Sequence, residues 1–314
     1  MHFRVPSVAP TLALLVALAT TAEAAPSSPA VPGPVTLAAR TSTAPAAATR
    51  RRRARRRLPP DGVFARNAIL LDPSTGEVLF EKNSSRSVPI ASLTKLMTAM
   101  VFLEQQPDLS RDAVVSYEDI RGAGHTQLRS REVLQLGELL RMSLMSSDNC
   151  ATRILARESG LPHADFIARM NRKAVELGLT GTHFDEVTGL DEHNVSTASD
   201  VARMLHAAAH EPLIAEITTT RSYAFKTERR YHTVGNTNRL LYGRYEIKGG
   251  KTGFIQEAGY CFATWVHSQG RDLIAVVLGA PTNATRFAPT PRPASCPAGR
   301  RHSRPATSTG SFAA

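Results

Sequence analysis

Ser92 and Lys95 put a hydroxyl and an amine three positions apart, which on a helix is one face and within hydrogen-bonding reach. That is the arrangement of an activated serine. The lysine can take the hydroxyl proton only when it is neutral, and neutrality requires burial or a neighbouring cation to lower its pKa. A helix start adds backbone N–H groups and the positive end of the dipole, both favourable to an oxyanion. The plainer alternative is an exposed lysine on a surface helix. Ser147-Asp148-Asn149 falls between two helical patterns, where a short loop can aim Ser147 and Asn149 into a cleft. The hydroxyl would relay a proton and the carboxamide would hold a peptide group; an ordinary N-cap by Ser147 or Asp148 is the competing reading. Lys251-Thr252-Gly253 ends a β-rich stretch and follows Gly249-Gly250. Glycines there let a backbone approach a substrate, and an adjacent cation and hydroxyl suit a carboxylate, whereas a glycine-rich turn would leave the lysine solvated. Each pattern occurs once, and the three together in this order are far less expected by chance than any one of them.

The elements that must position these residues can be read from periodicity. Asn67 to Asp72, the turn Pro73-Ser74-Thr75-Gly76 and Glu77 to Glu81 predict a β-hairpin. Ala91 to Leu103, Leu134 to Met145, Asn149 to Glu158, Ala164 to Leu177 (closed by Gly178) and Ser199 to His210 predict helices. The period then changes. Arg221 to Lys226, Tyr245 to Thr252, Gly259 to His267 and Leu273 to Leu278 predict strands, with a turn at Ser268 to Arg271. A strand pair, a helical block and further strands imply an α+β fold, an antiparallel sheet backed by helices with a helical subdomain.

With 314 residues, 42% of them hydrophobic, the chain can bury a core. Three cysteines and 6% aromatic residues exclude a disulfide-stapled scaffold and a Cys/His zinc array. Cys150 and Cys261 read as isolated buried thiols, with a disulfide as the alternative, and Cys296 lies in the tail. The ten histidines show no H-E-x-x-H spacing, so a metallopeptidase has no support; no metal and no organic cofactor is expected. The net charge of +11 suggests nucleic acid until it is divided along the chain: residues 58–285 carry 24 basic and 26 acidic side chains, and the excess sits at the ends. His2 and Arg4 precede an apolar run, Leu12 to Ala19, and Ala22-Glu23-Ala24 has the small-x-small form of a cleavage site, so residues 1–24 are expected to be an export signal cleaved near Ala24. The run is short of the ~20 residues that span a bilayer. Residues 25–60 form an Ala/Pro-rich linker with seven arginines in Arg50 to Arg57, suited to an anionic envelope polymer or simply solvated. Export argues against nucleic acid as its partner.

The three motifs together are those of penicillin-binding proteins and class A β-lactamases, in which the serine is the nucleophile. From about Asn67 to Arg286 the chain resembles the low-molecular-mass penicillin-binding proteins, serine D-alanyl-D-alanine carboxypeptidases and endopeptidases that trim peptidoglycan. The resemblance runs through Ile90 to Thr98, Leu144 to Asn149, Thr188-Gly189-Leu190, Asn194 to Ala198, Asn236-Thr237-Asn238 and Glu257 to Tyr260. The Ser-Asp-Asn and Asn-Thr-Asn forms look most like the branch that cuts D-Ala-to-diaminopimelate cross-links. The resemblance implies a β-lactamase/DD-peptidase-like fold for residues 61–286, an exported periplasmic or envelope location, peptidoglycan peptide stems as substrate and β-lactams as covalent inhibitors. It implies Ser92 as nucleophile, Lys95 as base and Ser147 as donor to the leaving amine, with Lys251 tuning the local field. Asn149 would hold the peptide and Thr252 the terminal carboxylate. The N–H groups of Ser92 and Phe254, the latter following Gly253, would form the oxyanion hole, and Arg286 would steer the carboxylate.

Two rival functions share parts of this pattern. A class A-like β-lactamase needs a water-activating glutamate in a Glu-x-x-Leu-Asn setting, whereas Phe184 to Leu190 lacks it and Glu186 reads as a loop acid. A non-catalytic cell-wall or polyanion-binding protein would leave the serine unused and act through its arginines. Residues 287–314 are rich in Pro, Thr, Arg and Ser without a helical period, where the family usually closes with a helix.

Overall fold

The computed structural model describes residues 59–124, 126–268 and 270–287. The leader, the arginine run Arg50 to Arg57, Cys296 and almost all of the expected tail lie outside them. Asn67–Leu71 (β1) and Val78–Lys82 (β2) form the expected hairpin. Asp72 Oδ1 accepts from the Ser74 backbone at 2.9 Å and from its hydroxyl at 2.5 Å, and so fixes the turn. Next come β3 (Val88–Pro89), a 3₁₀ turn (Ala91–Leu93), α1 (Thr94–Glu104), β4 (Asp112–Val114), α2 (Tyr117–Ile120) and β5 (Val133–Gln135). They are followed by α3 (Leu136–Arg141), a π turn (Met142–Ser146), α4 (Asn149–Arg157), α5 (His163–Glu176), β6 (Val195–Ser196), α6 (Ala198–Ala209) and α7 (Pro212–Thr219). The hairpin β7 (Ser222–Lys226) and β8 (Tyr231–Gly235) precedes the long strands β9 (Glu246–Ile255), β10 (Gly259–Ser268) and β11 (Arg271–Ala280).

The main sheet is antiparallel, in the order β2-β1-β11-β10-β9. The first hairpin closes on the last strand, so the sheet joins sequence ends with the helical block inserted between them, and β9 is left at an edge. Ala263, Ile274, Val276 and Leu278 point into the large core shared with α1, α4 and α6. Phe262 and Val277 form a smaller cluster on the other face, as do Val266 and Leu273. Both faces are apolar, as the β-rich runs imply. The fold is the α+β arrangement expected from the order of elements.

Helix α1 runs through the core, buried from Thr94 to Phe102. It is packed against protein on all sides from Thr94 to Phe102, which accords with a sequence that has no amphipathic stripe. Each of its fully buried Leu, Met and Phe side chains contributes ~1.5–3 kcal/mol. That packing offsets the burial of one amine, Lys95.

The local structure departs from the periodicity in three places. Leu134 to Met145 is not one helix: it opens inside β5, continues as α3 and ends as a π turn, because Val133–Gln135 pairs with Asp112–Val114. Lys251-Thr252-Gly253 lies inside β9, which pairs with β10 as far as Ile255, and does not end the strand. Helix α7 and strand β8 have no signal in the periodicity read above. The threonine-rich α7 is a helix because Pro212 sits in its first turn and Ile214 and Ile217 pack into the core.

Candidate active site

Three elements meet around Ser92. The 3₁₀ turn at the start of α1 carries it; Ala91, immediately before, has φ +50°, a left-handed conformation that costs an alanine ~1–2 kcal/mol. The turn is held by Thr94 Oγ1, which donates to Ala91 O at 2.9 Å. Gly253 of β9 packs against this turn: a Cβ there would stand 3.0 Å from Ser92 N and 3.1 Å from Ile90 O. On the other flank Gly189, at φ +83°, comes so close that a Cβ would overlap the Ala91 carbonyl. The two glycines permit the approach that seats the serine between a strand and a loop. Ser92 is half-buried.

Lys95, one turn further on, is 0% exposed. Its Nζ lies 3.0 Å from Ser92 Oγ and donates to Asn149 Oδ1 and Thr188 O, both at 2.6 Å. Burial lowers its pKa to about 7, with the charges of Glu186 and Asp148 opposing the fall and that of Arg153 adding to it. The exposed-lysine alternative is thereby overturned.

Ser147 follows the π turn at φ +65°, ψ +31°, so the chain reverses there and the hydroxyl is turned out of the helical axis. Lys251 Nζ donates to its Oγ at 2.8 Å and to Thr252 O at 2.9 Å. Lys251 is 1% exposed, not solvated in a glycine turn. Burial, and after it the nearby charges of Lys95 and Arg286, pushes its pKa well below the ordinary lysine value. The N-cap reading of this motif also holds: Asp148 accepts from Ala151 N at 3.0 Å and from Thr126 Oγ1 at 2.8 Å, which fixes the loop between Ser147 and Asn149. Asn149 donates to Ala123 O at 2.8 Å while it accepts from Lys95. One of its two N–H bonds is therefore committed to the protein and one is left over.

Thr252 Oγ1 lies 2.6 Å from Thr237 Oγ1, and Thr237 donates through its backbone N–H to Met145 O at 3.0 Å. Thr237 thus ties β9 to the π turn. Phe254 is 52% exposed and its ring packs at a tilt of 31° against Tyr260, the centroids 4.3 Å apart. Arg286 is buried, donates to Gly253 O at 3.3 Å and lies between the rings of Tyr260 and Phe287. Its guanidinium reaches the site through the β9 backbone. Burial lowers its pKa to about 10.

Ser92, Lys95, Asn149, Ser147, Lys251, Thr252 and Gly253 are joined by these contacts into one cluster, with Arg286 attached behind Gly253. Three participants were not read from sequence as site residues. The Thr188 carbonyl is a backbone atom, which residue types cannot reveal; Thr237 lies in the quoted Asn-Thr-Asn segment without a role; and Glu186, read as a loop acid, instead gathers the N–H groups of the Thr188–Leu190 turn. Cys150 and Cys261 are buried free thiols, their pKa pushed up by burial to about 12 and about 11. Such thiols stay protonated and unreactive at neutral pH.

Residues 54–282 match the family described as D-alanyl-D-alanine carboxypeptidase, Peptidase S11. The chain is 36% identical over 232 residues to the D-alanyl-D-alanine endopeptidase of Pseudomonas aeruginosa, covering 72% of this chain and 74% of that protein. It is 34% identical over 232 residues to the D-alanyl-D-alanine endopeptidase of Escherichia coli, with the same coverage. Among solved structures, that of the Streptomyces K15 DD-transpeptidase superposes with a TM-score of 0.68 at 27% identity, covering 72% of this chain and 93% of that one.

Proposed function

This chain belongs to the D-alanyl-D-alanine carboxypeptidase family of serine peptidases, and we propose that it cleaves D-Ala-containing peptide bonds of peptidoglycan through an acyl-enzyme on Ser92. The observation that carries the reading is the 3.0 Å contact between the Ser92 hydroxyl and an amine withdrawn from solvent. A neutral Lys95 has two N–H bonds, which Asn149 Oδ1 and Thr188 O accept, and one lone pair, which is left for the Ser92 hydroxyl. The serine proton moves to Lys95 Nζ as Oγ bonds to the D-Ala carbonyl carbon. The developing oxyanion accepts from the N–H groups of Ser92 and Phe254. Ser147 hands a proton to the departing amine as the C–N bond breaks, and the Lys251 N–H at 2.8 Å supports the oxygen it leaves behind. Water then hydrolyses the ester: it gives a proton to Ser147 Oγ as its oxygen bonds to the acyl carbon, and Lys95 returns its proton to Ser92 Oγ as that ester bond breaks. Thr252 receives the terminal carboxylate on the open edge of β9, and Arg286 backs that strand through Gly253.

Labelled penicillin is the direct test. It acylates Ser92 and is released slowly; labelling disappears in Ser92→Ala. Rapid hydrolysis of the antibiotic by the pure protein would favour the β-lactamase alternative, and absence of labelling the non-catalytic binder. The Ser-Asp-Asn and Asn-Thr-Asn forms and the two endopeptidase relatives support cross-links as the preferred substrate. Mass spectrometry of digested murein, comparing pentapeptide monomers with cross-linked dimers, decides this.

We place the enzyme outside the cytoplasm, in the periplasm or envelope, on the expected leader; among the described residues no helix is long and apolar enough to cross a membrane. The density of positive charge in Arg50 to Arg57 supports an anionic envelope polymer as the partner of that run.

A further inference from the structure

Glu186 is the acid of the loop opposite the nucleophile turn, half-buried and unassigned in the mechanism above. Its Oε2 accepts from the Thr188 backbone and hydroxyl, each at 2.7 Å, and its Oε1 from Gly189 N, from Leu190 N at 3.0 Å and from Asn194 Nδ2 at 3.1 Å. Asn194, wholly buried, braces the same residue from behind: its Oδ1 accepts from Asp185 N at 2.8 Å and its Nδ2 donates to Glu186 O at 2.8 Å and to Thr94 Oγ1 at 3.2 Å. The turn so folded presents Thr188 O to Lys95 Nζ and presses Gly189 against Ala91.

We propose that Glu186 is a positioning residue for acylation, folding the Thr188–Leu190 turn so that the Thr188 carbonyl aims the Lys95 amine at Ser92. Carboxylates accept from several N–H groups at once, whereas a carboxamide turns an NH₂ toward part of the same donors. Turn and charge are therefore separable by substitution. The charged groups facing Lys95 are Glu186 from this loop, Asp148 and Arg153 from α4 and its cap, and Lys251 from β9. Glu186 is the largest of those that raise the Lys95 pKa against the effect of burial. Its neutralisation favours the free amine.

The inference rests on the acyl-enzyme reading, so the experiment begins with wild type. The full chain is titrated with fluorescent penicillin from pH 5 to 9, and the rate of Ser92 acylation is read as a plateau and an acid limb. An unlabelled wild type overturns the acyl-enzyme reading and the proposal with it. In Glu186→Gln the plateau falls about tenfold or more, since a displacement near 1 Å costs on the order of 10²-fold, and the acid limb moves to lower pH. Glu186→Asp keeps the charge but is one methylene too short for all the donors, so its plateau falls while its acid limb stays with wild type. Melting curves of both variants establish that they fold. If Glu186→Gln cannot be obtained folded, Glu186→Asp decides alone: a plateau equal to wild type overturns the positioning role. A folded Glu186→Gln with an unchanged plateau overturns the proposal, and a reduced plateau with an unmoved acid limb makes Glu186 a structural residue of the turn and overturns its action through Lys95.

Discussion

The molecule builds the same contact twice. Ser92 and Lys95 are three residues apart and meet at 3.0 Å through one turn of a core helix; Ser147 and Lys251 are 104 residues apart and meet at 2.8 Å because β9 docks on the end of a π turn. Both lysines are withdrawn from solvent and both are driven toward the neutral form, chiefly by desolvation. The first pair depends on helix geometry and a buried helix. The second depends on left-handed Ser147, the Asp148 cap and the Thr237 link, none of which is close to Lys251 in sequence. A local pair is set by secondary structure, and an assembled pair can be lost without unfolding the enzyme.

Substitutions that separate the pairs sharpen that contrast. Ser92→Ala is expected to reduce turnover by about 10⁴-fold or more and to abolish penicillin labelling with an unchanged melting temperature. Lys95→Met removes the base and leaves Asn149 Oδ1 and Thr188 O without their donor, so acylation drops by about 10³ to 10⁴-fold; stopped-flow acylation measures it. Lys251→Met weakens the assembled pair and is expected to cost about 10²-fold in the same assay. Were Lys251→Met as damaging as Lys95→Met, the two pairs would form one coupled unit and the comparison would break.

The buried amines also make stability depend on pH. Lys95 titrates at about 7 in the folded chain against 10.5 in the unfolded one. Between these values the unfolded chain binds the extra proton, so stability rises with pH across the window. Lys251, shifted in the same direction, adds to the rise. Denaturant titrations of Lys95→Met from pH 7 to 10 should show a shallower rise, and the double variant with Lys251→Met shallower still. Activity follows the same proton: acylation is expected to fall on the acid side of about pH 7 as Lys95 charges.

Smaller effects test the scaffolds. Gly189→Ala is expected to lose about 1–3 kcal/mol, from a left-handed Cβ that meets the Ala91 carbonyl, and to damage the local pair by shifting Ala91. Thr237→Val removes the contact to Thr252 and should cost about 0.5–1.5 kcal/mol, seen as a raised KM with kcat nearly retained.

Much of the fold was legible. The first hairpin, α4, α5, α6 and the last three strands follow from apolar period, Pro/Gly punctuation and β-branched runs, and α1 from its run of Leu, Met and Ala after Pro89. What escaped was short or context-made: α7 is helical because Ile214 and Ile217 reach the core, and β5 interrupts an apparent helix because β4 pairs with it. In the site, Ser92, Lys95, Ser147, Asn149, Lys251 and Thr252 carry side chains whose types and spacing announce chemistry. Glu186 did not, since an acid in a loop looks the same whether it is solvated or gathers five backbone and side-chain donors.

The turn of helix that sets Lys95 beside Ser92 and the order of strands and helices are legible in the chain, because they depend on neighbours a few positions away. The packed fold is what makes both amines dry, brings Lys251 to Ser147, and has Thr188 offer a carbonyl rather than its hydroxyl to Lys95. Desolvation and backbone direction are properties of the packed whole, and no local pattern of side chains encodes them.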